Sequence, residues 1–321
     1  MSDTASQPVH PPSPGSILKG VGAALVTVAI WTSWIVGTRT AVAGTEHLSP
    51  FAISFLRFAV AGIVLAPLWW RMRFIPRGLS WPVLLGLMCS GAPYVAFLAT
   101  GLTLAPAAEA GPLLPGTLPL LVAVLSALFL GERFGPVRLA GFALIALGIA
   151  SVAGNGLLAG PENAWQGHLM ILGSALSWAI YTIAFRKSGL TGAQAAAFVA
   201  FWSLILLLPF AGGTIVPALM AVSLGTLLTQ IVIQGILAGV VALVSYGMAV
   251  RHLGPSRAAA VTAITPASAL LVAIPVLGEW PDGFAWFGCA ATVIGVVFAS
   301  GAVTAAHLVP AGRDRLQAER P

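Results

Sequence analysis

The sequence predicts an all-α polytopic membrane protein whose ten transmembrane helices form two inverted five-helix repeats. Three observations lead to this fold class. Of the 321 residues, 58% are hydrophobic and only 7% are charged, whereas soluble globular domains carry about 25% charged residues. The apolar residues form ten runs, each close in length to the ~20-residue helix that crosses a bilayer. Finally, residues of the first half recur in the second half at a constant spacing.

Each apolar run is interpreted as one spanning helix, because its length matches the hydrocarbon core of a membrane. The runs cover residues 18–38, 49–70, 79–100, 104–130, 135–155, 165–185, 193–211, 226–250, 255–278 and 283–304. The stretch after the seventh run, residues 212–225, is apolar but broken by glycine and proline. We expect this stretch to be an interfacial loop rather than an eleventh span.

The positions of the positive charges predict the orientation. When the N-terminus is placed in the cytoplasm, every lysine and arginine except Arg39 and Arg57 falls at a cytoplasmic end, loop or tail. This asymmetry follows the positive-inside rule. It predicts a multi-pass protein of the inner membrane with both termini in the cytoplasm. Because the basic residues are scattered between apolar runs and form no patch, nucleic acid is not an expected partner.

A shift of 147 positions relates the two halves. It superposes Trp31 on Trp178, Arg39 on Arg186, Pro119 on Pro266, Gly141 on Gly288, Gly148 on Gly295, and the Leu-Gly-Glu that ends at Glu132 on the one that ends at Glu279. Because five is an odd number of spans, the second half enters the membrane from the opposite side, as in inverted repeats. We assign residues 17–156 to the first repeat and 157–304 to the second, between cytoplasmic tails at 1–16 and 305–321.

Prolines interrupt the fourth span. They are Pro112, Pro115 and Pro119. An interior proline lacks an N–H group, so the carbonyl four residues earlier loses its helical partner. We therefore expect Pro115 to free the carbonyl of Gly111. In the ninth span, Pro266 is expected to free the carbonyl of Thr262. Since free carbonyls at membrane depth must face protein or a water-filled cavity, the fourth and ninth spans are predicted to line a cavity.

These features resemble the EamA-type branch of the drug/metabolite transporter superfamily. The resemblance rests on the Leu-Gly-Glu helix ends, the Pro-Gly-Thr-Leu-Pro segment at 115–119, the tryptophans of the first and sixth spans and the duplication. It covers about residues 18–304 and both repeats. It implies a secondary transporter that binds a small organic molecule in a central cavity between the halves, without ATP. Members of this family move amino acids, sugars, nucleotide-type metabolites and drugs. Where relatives often have a histidine, this chain has Glu109.

Two charged residues lie five or more residues from the ends of predicted spans, Glu109 in the fourth and Arg57 in the second. A charge at membrane depth is costly and marks a functional site by default. If both side chains faced one cavity, they would offer an anion and a cation to the two ends of a zwitterion, which favours an amino acid as cargo. Alternatively, the two residues form an ion pair between helices, or Glu109 reaches the outer interface without a further role.

Aromatic and polar residues complete the predicted site. Trp31 and Trp34 share one face of the first span, and Trp178 and Tyr181 repeat this spacing in the sixth. They either wall the cavity or pack helices together. Further candidates for cargo contacts are Gln230, Gln234, Tyr94, Tyr246 and Thr265, although interhelical hydrogen bonds are the commoner use of such residues. The repeated Glu132 and Glu279 are expected to be structural, capping a neighbouring helix or pairing with Arg133.

The sequence also argues against several classes of function. With two lysines in the whole chain there is no phosphate-binding loop, and the scattered histidines lack metal-ligand spacing. No cofactor or metal is expected. The predicted function is a secondary transporter that moves a small organic metabolite, an amino acid or related zwitterion in our preferred reading, out across the inner membrane. The alternatives are a membrane-embedded enzyme acting on lipid-linked substrates and a non-transporting membrane partner or receptor.

Overall fold

A computed structural model describes residues 14–72, 74–158 and 163–302, and every regular element in these ranges is helical. The helices are α1 (Pro14–Ala43), α2 (Pro50–Val64), α3 (Ala66–Arg71), α4 (Trp81–Met88), α5 (Ala92–Leu104), α6 (Ala107–Leu113), α7 (Leu118–Leu130), α8 (Pro136–Leu158), α9 (Ala164–Ser188), α10 (Gly192–Leu207), α11 (Val216–Met220), α12 (Leu224–Gln230), α13 (Ala242–Leu253), α14 (Pro255–Thr262), α15 (Thr265–Leu277) and α16 (Gly283–Ala299). The all-helical class predicted from the sequence is confirmed.

Several helices continue into one another as longer rods. Eight rods are long and apolar enough to cross a membrane: Gly15–Ala43, Trp81–Leu104, Ala107–Leu130, Pro136–Leu158, Ala164–Ser188, Gly192–Met220, Leu224–Leu253 and Ser256–Leu277. Two further apolar helices, α2 and α16, have 15 and 17 residues. Each of the ten predicted runs corresponds to one of these rods or helices. Because α2 and α16 are shorter than the eight rods, the count of ten spans stays a prediction. Of the residues used to predict topology, Arg73, Arg313, Arg315 and Arg320 lie outside the described residues, as do 1–13 and 305–321 of the predicted tails.

The predicted interfacial loop at 212–225 is wrong, because the seventh rod continues as helix to Met220. A 3₁₀ turn at Leu208–Phe210 and a π turn at Ala211–Ile215 join α10 to α11. Pro209 and Pro217 each begin a new segment within the continuous rod, where the missing N–H group removes one helical hydrogen bond. The prolines and glycines therefore change the winding of the helix without ending it. A short turn precedes α12, whose first residues are capped by the hydroxyl of Ser223.

The repeated Leu-Gly-Glu ends a helix in the same way in both halves. Gly131 follows α7 and Gly278 follows α15, each with a backbone φ of 68°. This left-handed conformation is strained for any residue with a Cβ atom, which explains the glycine. The amides of Glu132 and Glu279 then donate back to the last turn of their helices at 3.3 and 3.4 Å. Both carboxylates are thereby held at a helix end.

The central helices pack as two bundles that mix the two halves of the sequence. The first bundle contains α4–α5, α6–α7 and α9, and the second contains α12–α13, α14–α15 and α1. A π-helical stretch, Ile231–Val241, joins α12 to α13. Each bundle thus takes two rods from one half and one rod from the other. Outside the bundles, α2 packs on α10 and α8 packs on α16.

The contact between α8 and α16 depends on glycines. A Cβ atom on Gly148 of α8 would lie 2.8 Å from the carbonyl oxygen of Gly288, and one on Gly288 would lie 2.9 Å from the carbonyl oxygen of Gly148. Both distances are shorter than a Cβ atom tolerates. Small residues at such a crossing let two helix backbones approach closely, which is a main source of helix association in lipid.

Replacing Gly148 with leucine should therefore destabilise the protein. The new side chain forces α8 away from α16, and overpacking of a close-packed site costs about 1–3 kcal/mol. We expect a lower melting temperature of the purified protein in detergent. Gly154→Leu on the same helix is the matched control, since a Cβ atom there meets no other atom within 4 Å. Equal melting temperatures of the two variants would contradict this account of the packing.

Candidate binding cavity

A cavity of about 80 Å³ lies between the two bundles. It is lined by Trp31, Trp34, Ile35, Arg57, Tyr94, Leu114, Pro115, Leu118, Trp178 and Thr265. A second cavity of about 60 Å³ adjoins it, because Arg57 and Trp178 line both. Sites for small organic ligands usually enclose about 300–1,000 Å³. The bundles must therefore move apart around a bound molecule of that kind.

The cavity wall includes the break in the fourth rod. α6 ends at Leu113 and α7 begins at Leu118, and Leu114 and Pro115 between them line the cavity. The expectation of a free Gly111 carbonyl is wrong, because this carbonyl accepts a hydrogen bond from the amide of Gly116 at 3.1 Å. The chain replaces the lost helical bond by a wider turn.

The same correction applies to the ninth rod. The hydroxyl of Thr265 donates to the carbonyl of Thr262 at 2.7 Å, so this carbonyl is not free either. Thr265 is fully buried and lines the cavity. A hydroxyl oxygen that donates one hydrogen bond can still accept others. The polar group that this helix offers to the cavity is therefore a side chain rather than the backbone.

A row of aromatic rings crosses from one bundle to the other at the cavity. The centroids of Trp34 and Tyr94 are 5.7 Å apart, those of Tyr94 and Trp178 are 5.0 Å apart, and those of Trp178 and Tyr181 are 5.3 Å apart. Such distances are typical of favourable aromatic pairs. Trp34 belongs to the second bundle and the other three rings to the first, so the row bridges the interface between the bundles.

Arg57 is the charged residue at the centre of this site. Its guanidinium carbon lies 4.7 Å from the centre of the Trp34 ring. Its Nη1 atom is buried and has no hydrogen-bond partner among the described residues, and the same is true of Nε1 of Trp34. A buried donor without an acceptor costs free energy. The residues that line the cavity thus include two donors without a partner and one positive charge.

Glu109 does not pair with Arg57, as one sequence-based alternative proposed, but with His168. Oε2 of Glu109 and Nε2 of His168 are 2.5 Å apart, and the side chains are 16% and 2% exposed. The pair joins the first turn of α6 to the first turns of α9, and the imidazole packs on Gly156. Sequence reasoning missed His168 as a partner. The available signal was a polar residue just inside an apolar helix, where it needs a partner in the protein.

Gln230 and Gln234 hold the second bundle together. The Gln230 amide donates to the carbonyl of Gly37 at 3.0 Å, and the Gln234 amide donates to the hydroxyl of Thr38 at 2.9 Å and to the Gln230 side-chain oxygen at 3.1 Å. Both glutamines are buried. These contacts fit the alternative use predicted for the pair, interhelical hydrogen bonding, and neither side chain lines the central cavity.

Glu132 and Glu279 both form ion pairs with arginine. Oε1 of Glu279 lies 2.7 Å from Nε of Arg39, and Oε1 of Glu132 lies 2.5 Å from Nη2 of Arg186. Oε2 of Glu279 also accepts from the amide of Ala107 at 2.7 Å and so caps α6. The suggested pairing of a glutamate with Arg133 is wrong, because Glu132 pairs with Arg186 of α9 instead of with its neighbour in the sequence.

The predicted site residues therefore separate into groups. Around the central cavity the structure gathers Trp31, Trp34, Arg57, Tyr94, Pro115, Trp178 and Thr265. Tyr181 lines the adjoining cavity. Tyr246 lines a third cavity together with Pro119, Glu132 and Arg186, and its ring lies 5.5 Å from that of Trp31. Glu109, Gln230 and Gln234 are engaged in the contacts described above. Among the described residues, no group of His, Cys, Asp and Glu could hold a metal ion.

Comparison with known proteins identifies related transporters. The model of the EamA-like transporter family matches twice, at residues 18–154 and 165–301. A probable terminal-alkyne amino-acid exporter of Streptantibioticus cattleyicolor is 29% identical over 290 residues, which cover 87% of this chain and 92% of that protein. The aromatic amino acid exporter YddG of Ancylobacter novellus is 28% identical over 170 residues, covering 50% and 55% of the two chains.

Two further similarities extend this picture. A riboflavin transporter of Rhizobium johnstonii is 30% identical over 183 residues, which cover 54% of this chain and 55% of that protein. One protein crystal structure superposes with a TM-score of 0.57 at 21% identity, over 93% of this chain and 99% of the other. That similarity shows a shared fold.

The unpaired state of Arg57 leads to a prediction about stability. Arg57→Met removes a buried cation whose donor has no partner, a defect that costs about 1–3 kcal/mol. We expect a higher melting temperature in detergent. Arg39→Met is the matched control, because the Arg39 guanidinium is bound to Glu279 and to the Leu102 carbonyl, and it should lower the melting temperature. If both variants were less stable than the parent, Arg57 would have a structural partner.

Proposed function

Because the chain belongs to the EamA-like transporter family, whose members are transporters and not enzymes, we propose that it is a secondary carrier that exports an amino acid or a related zwitterion. The prediction that the protein is not an enzyme is confirmed by this membership. The alternative of a membrane-embedded enzyme is therefore set aside. Two of the relatives are named exporters of amino acids, and this supports the proposed cargo class and direction.

The observation that carries the proposal is the pair of unused donors at the cavity. Nη1 of Arg57 and Nε1 of Trp34 have no acceptor and belong to residues that line the cavity, and a carboxylate would supply the acceptors and the negative charge that they lack. A charge-assisted hydrogen bond between guanidinium and carboxylate is about twice as strong as a neutral one. In this proposal Arg57 and Trp34 hold the carboxylate of the cargo.

The remaining cavity residues would recognise the rest of the molecule. The faces of Trp31 and Trp178 offer stacking surfaces for an apolar or aromatic side chain, and such faces also attract an ammonium group. The hydroxyls of Tyr94 and Thr265, two further residues of the cavity lining, would form hydrogen bonds with the cargo. This differs from the zwitterion arrangement expected from the sequence, because Glu109 is engaged with His168 and the ammonium would lie against aromatic rings.

The proposal includes the predicted topology. Ten spans in two inverted repeats, at 17–156 and 157–304, place both termini in the cytoplasm of the inner membrane by the positive-inside rule. The two family matches begin 147 positions apart, which supports the two repeats. The 17 residues of α16 give a helix of about 25 Å, close to the ~30 Å hydrocarbon core. In this topology Tyr181 and Tyr246 lie on the cytoplasmic side of the cavity and Glu109 on the outer side.

Solute counterflow in proteoliposomes tests the function. Proteoliposomes are loaded with an amino acid, a sugar, a nucleoside or riboflavin, and the uptake of the same solute in labelled form is measured. Amino acids with large apolar side chains should drive counterflow. An N-acetyl derivative should compete, whereas the carboxamide of the same amino acid should not, because it lacks the carboxylate for Arg57. Counterflow driven by sugars, nucleosides or riboflavin alone would reject the cargo class, and none at all would reject the carrier.

Arg57→Gln should weaken cargo binding without preventing membrane insertion. Hydrogen bonds to charged groups contribute about 1.5–3 kcal/mol, so the apparent affinity should fall roughly 10- to 100-fold. The matched control is Arg138→Gln. Arg138 lies on α8, stacks on Phe134 and donates to the carbonyl of Ala299, away from the central cavity. Equal losses in the two variants would remove Arg57 from the site.

Glu109→Gln should alter transport or its pH dependence while leaving insertion intact. A glutamine keeps a hydrogen-bonding group for His168 but removes the titratable carboxyl, so a coupled proton would lose its carrier. Flux is measured from pH 5 to 8 for the parent and the variant. If the variant retained the full flux and pH profile of the parent, Glu109 would have no role beyond joining α6 to α9.

A further inference from the structure

One end of the bundle interface is closed by a set of polar contacts built on Arg39 and Glu279. These residues belong to the second bundle and are joined at 2.7 Å. Each also reaches the first bundle. Nη1 of Arg39 donates to the carbonyl of Leu102 at 2.6 Å, and Oε2 of Glu279 accepts from the amide of Ala107 at 2.7 Å. The ion pair thus binds one carbonyl and one amide on either side of the turn between α5 and α6. We name the set formed by Arg39, Glu279, the Leu102 carbonyl and the Ala107 amide the outer clamp.

The internal repeat predicts a second clamp at the opposite end. The 147-residue shift carries Arg39 to Arg186, Glu132 to Glu279, Leu102 to Ala249 and Ala107 to Gly254. Arg186 and Glu132 are joined at 2.5 Å on the first bundle. Their equivalent targets, the backbone of Ala249 and Gly254, lie on the second bundle.

This inner pair is formed but does not reach across. Nη1 of Arg186 donates to the hydroxyl of Ser126 at 3.2 Å, within its own bundle. The amide of Gly254 donates to the carbonyl of Val250 at 2.9 Å. The inner side chains are also more exposed, at 46% and 35%, against 20% and 16% for Arg39 and Glu279.

A cleft separates the inner pair from its targets. This cavity of about 300 Å³ is lined by Ser126, Glu132 and Arg186 on one side and by Tyr246, Ser256 and Ala259 on the other. The helix packing has the same asymmetry. α6 packs closely on α15 at the closed end, whereas their counterparts α14 and α7 are separated by the cleft.

We infer that the two ion pairs are the gates of the transport cycle, and that the structure is the state open to the cytoplasm. In the opposite state Arg186 binds the carbonyl of Ala249 and Glu132 binds the amide of Gly254, while the outer clamp releases the α5–α6 connection. This inference rests on the proposed carrier function, and it assigns a gating role to residues that the cargo does not touch.

The arrangement suits a gate because each ion pair stays within one bundle. Opening a clamp breaks two hydrogen bonds to the backbone but leaves arginine and glutamate paired, so no isolated charge is exposed to a low-dielectric environment. Breaking an ion pair itself would cost far more. Because the hydrogen bonds lost at one clamp are replaced by equivalent bonds at the other, both states remain accessible.

Labelling of a single cysteine in the cleft tests the assignment. Ser256→Cys is made in a chain whose two free cysteines, Cys89 and Cys289, are replaced by serine, and its rate of reaction with a maleimide is measured in proteoliposomes. Arg39→Gln should shift the protein to the outward-open state and slow labelling about fivefold or more, the lower range of coupling between states. Arg186→Gln should leave labelling equal or faster. Arg138→Gln, which removes a charge from the same cleft, is the control and should have no effect.

Exchanging the two charges distinguishes a clamp, which needs the backbone contacts, from an ion pair that needs only opposite charges. The double variant R39E/E279R restores the ion pair but presents a carboxylate to the Leu102 carbonyl and a guanidinium to the Ala107 amide. We expect slow labelling, as in Arg39→Gln. Parental labelling in the double variant, or equal changes in Arg39→Gln and Arg186→Gln, would overturn the gate assignment. Since labelling needs no cargo, this outcome is distinguishable from failure of the counterflow experiment.

Discussion

The structure depends on one constraint, that polar groups inside a membrane must find their partners within the protein. Across the described residues most such groups meet this requirement through contacts between helices. Arg39 meets Glu279, Glu109 meets His168 and Gln234 meets Thr38. These contacts select which helices lie side by side, a choice that apolar surfaces alone leave open because lipid is as apolar as leucine.

The binding cavity is where this constraint is left unsatisfied. Arg57 and Trp34 line the central cavity between the bundles and keep donors without acceptors. Unlike Arg39 and Arg186, which pair with glutamates, Arg57 keeps its charge and a donor for a ligand. The small volume of the cavity adds a second condition, because a ligand that fills it must also push the bundles apart. Recognition and movement are therefore coupled through the same aromatic row.

Much of the architecture could be predicted because it is encoded locally. Apolar length predicts the helices, glycine after leucine predicts the ends of α7 and α15, and prolines predict the break beside Leu114. Contacts between residues distant in the sequence could not be predicted, because they leave no such local signal. The partner of Glu109 is His168, which comes from the other repeat, and no local pattern shows that α9 packs on α6. The segment after Phe210 has glycine and proline in a pattern that ends helices in water, but neighbouring helices and lipid keep it helical.

The mixing of the two halves in each bundle has a consequence for biosynthesis. α1 contains Thr38 and Arg39, whose partners Gln234 and Glu279 lie 196 and 240 residues later in the chain. The ribosome therefore delivers α1 to the membrane long before these partners exist. Until the second half emerges, the Thr38 hydroxyl can donate to the Trp34 carbonyl of its own helix, whereas the Arg39 guanidinium lacks its carboxylate. The contacts of α1 with Gln234 and Glu279 can therefore form only after the second half has been synthesised.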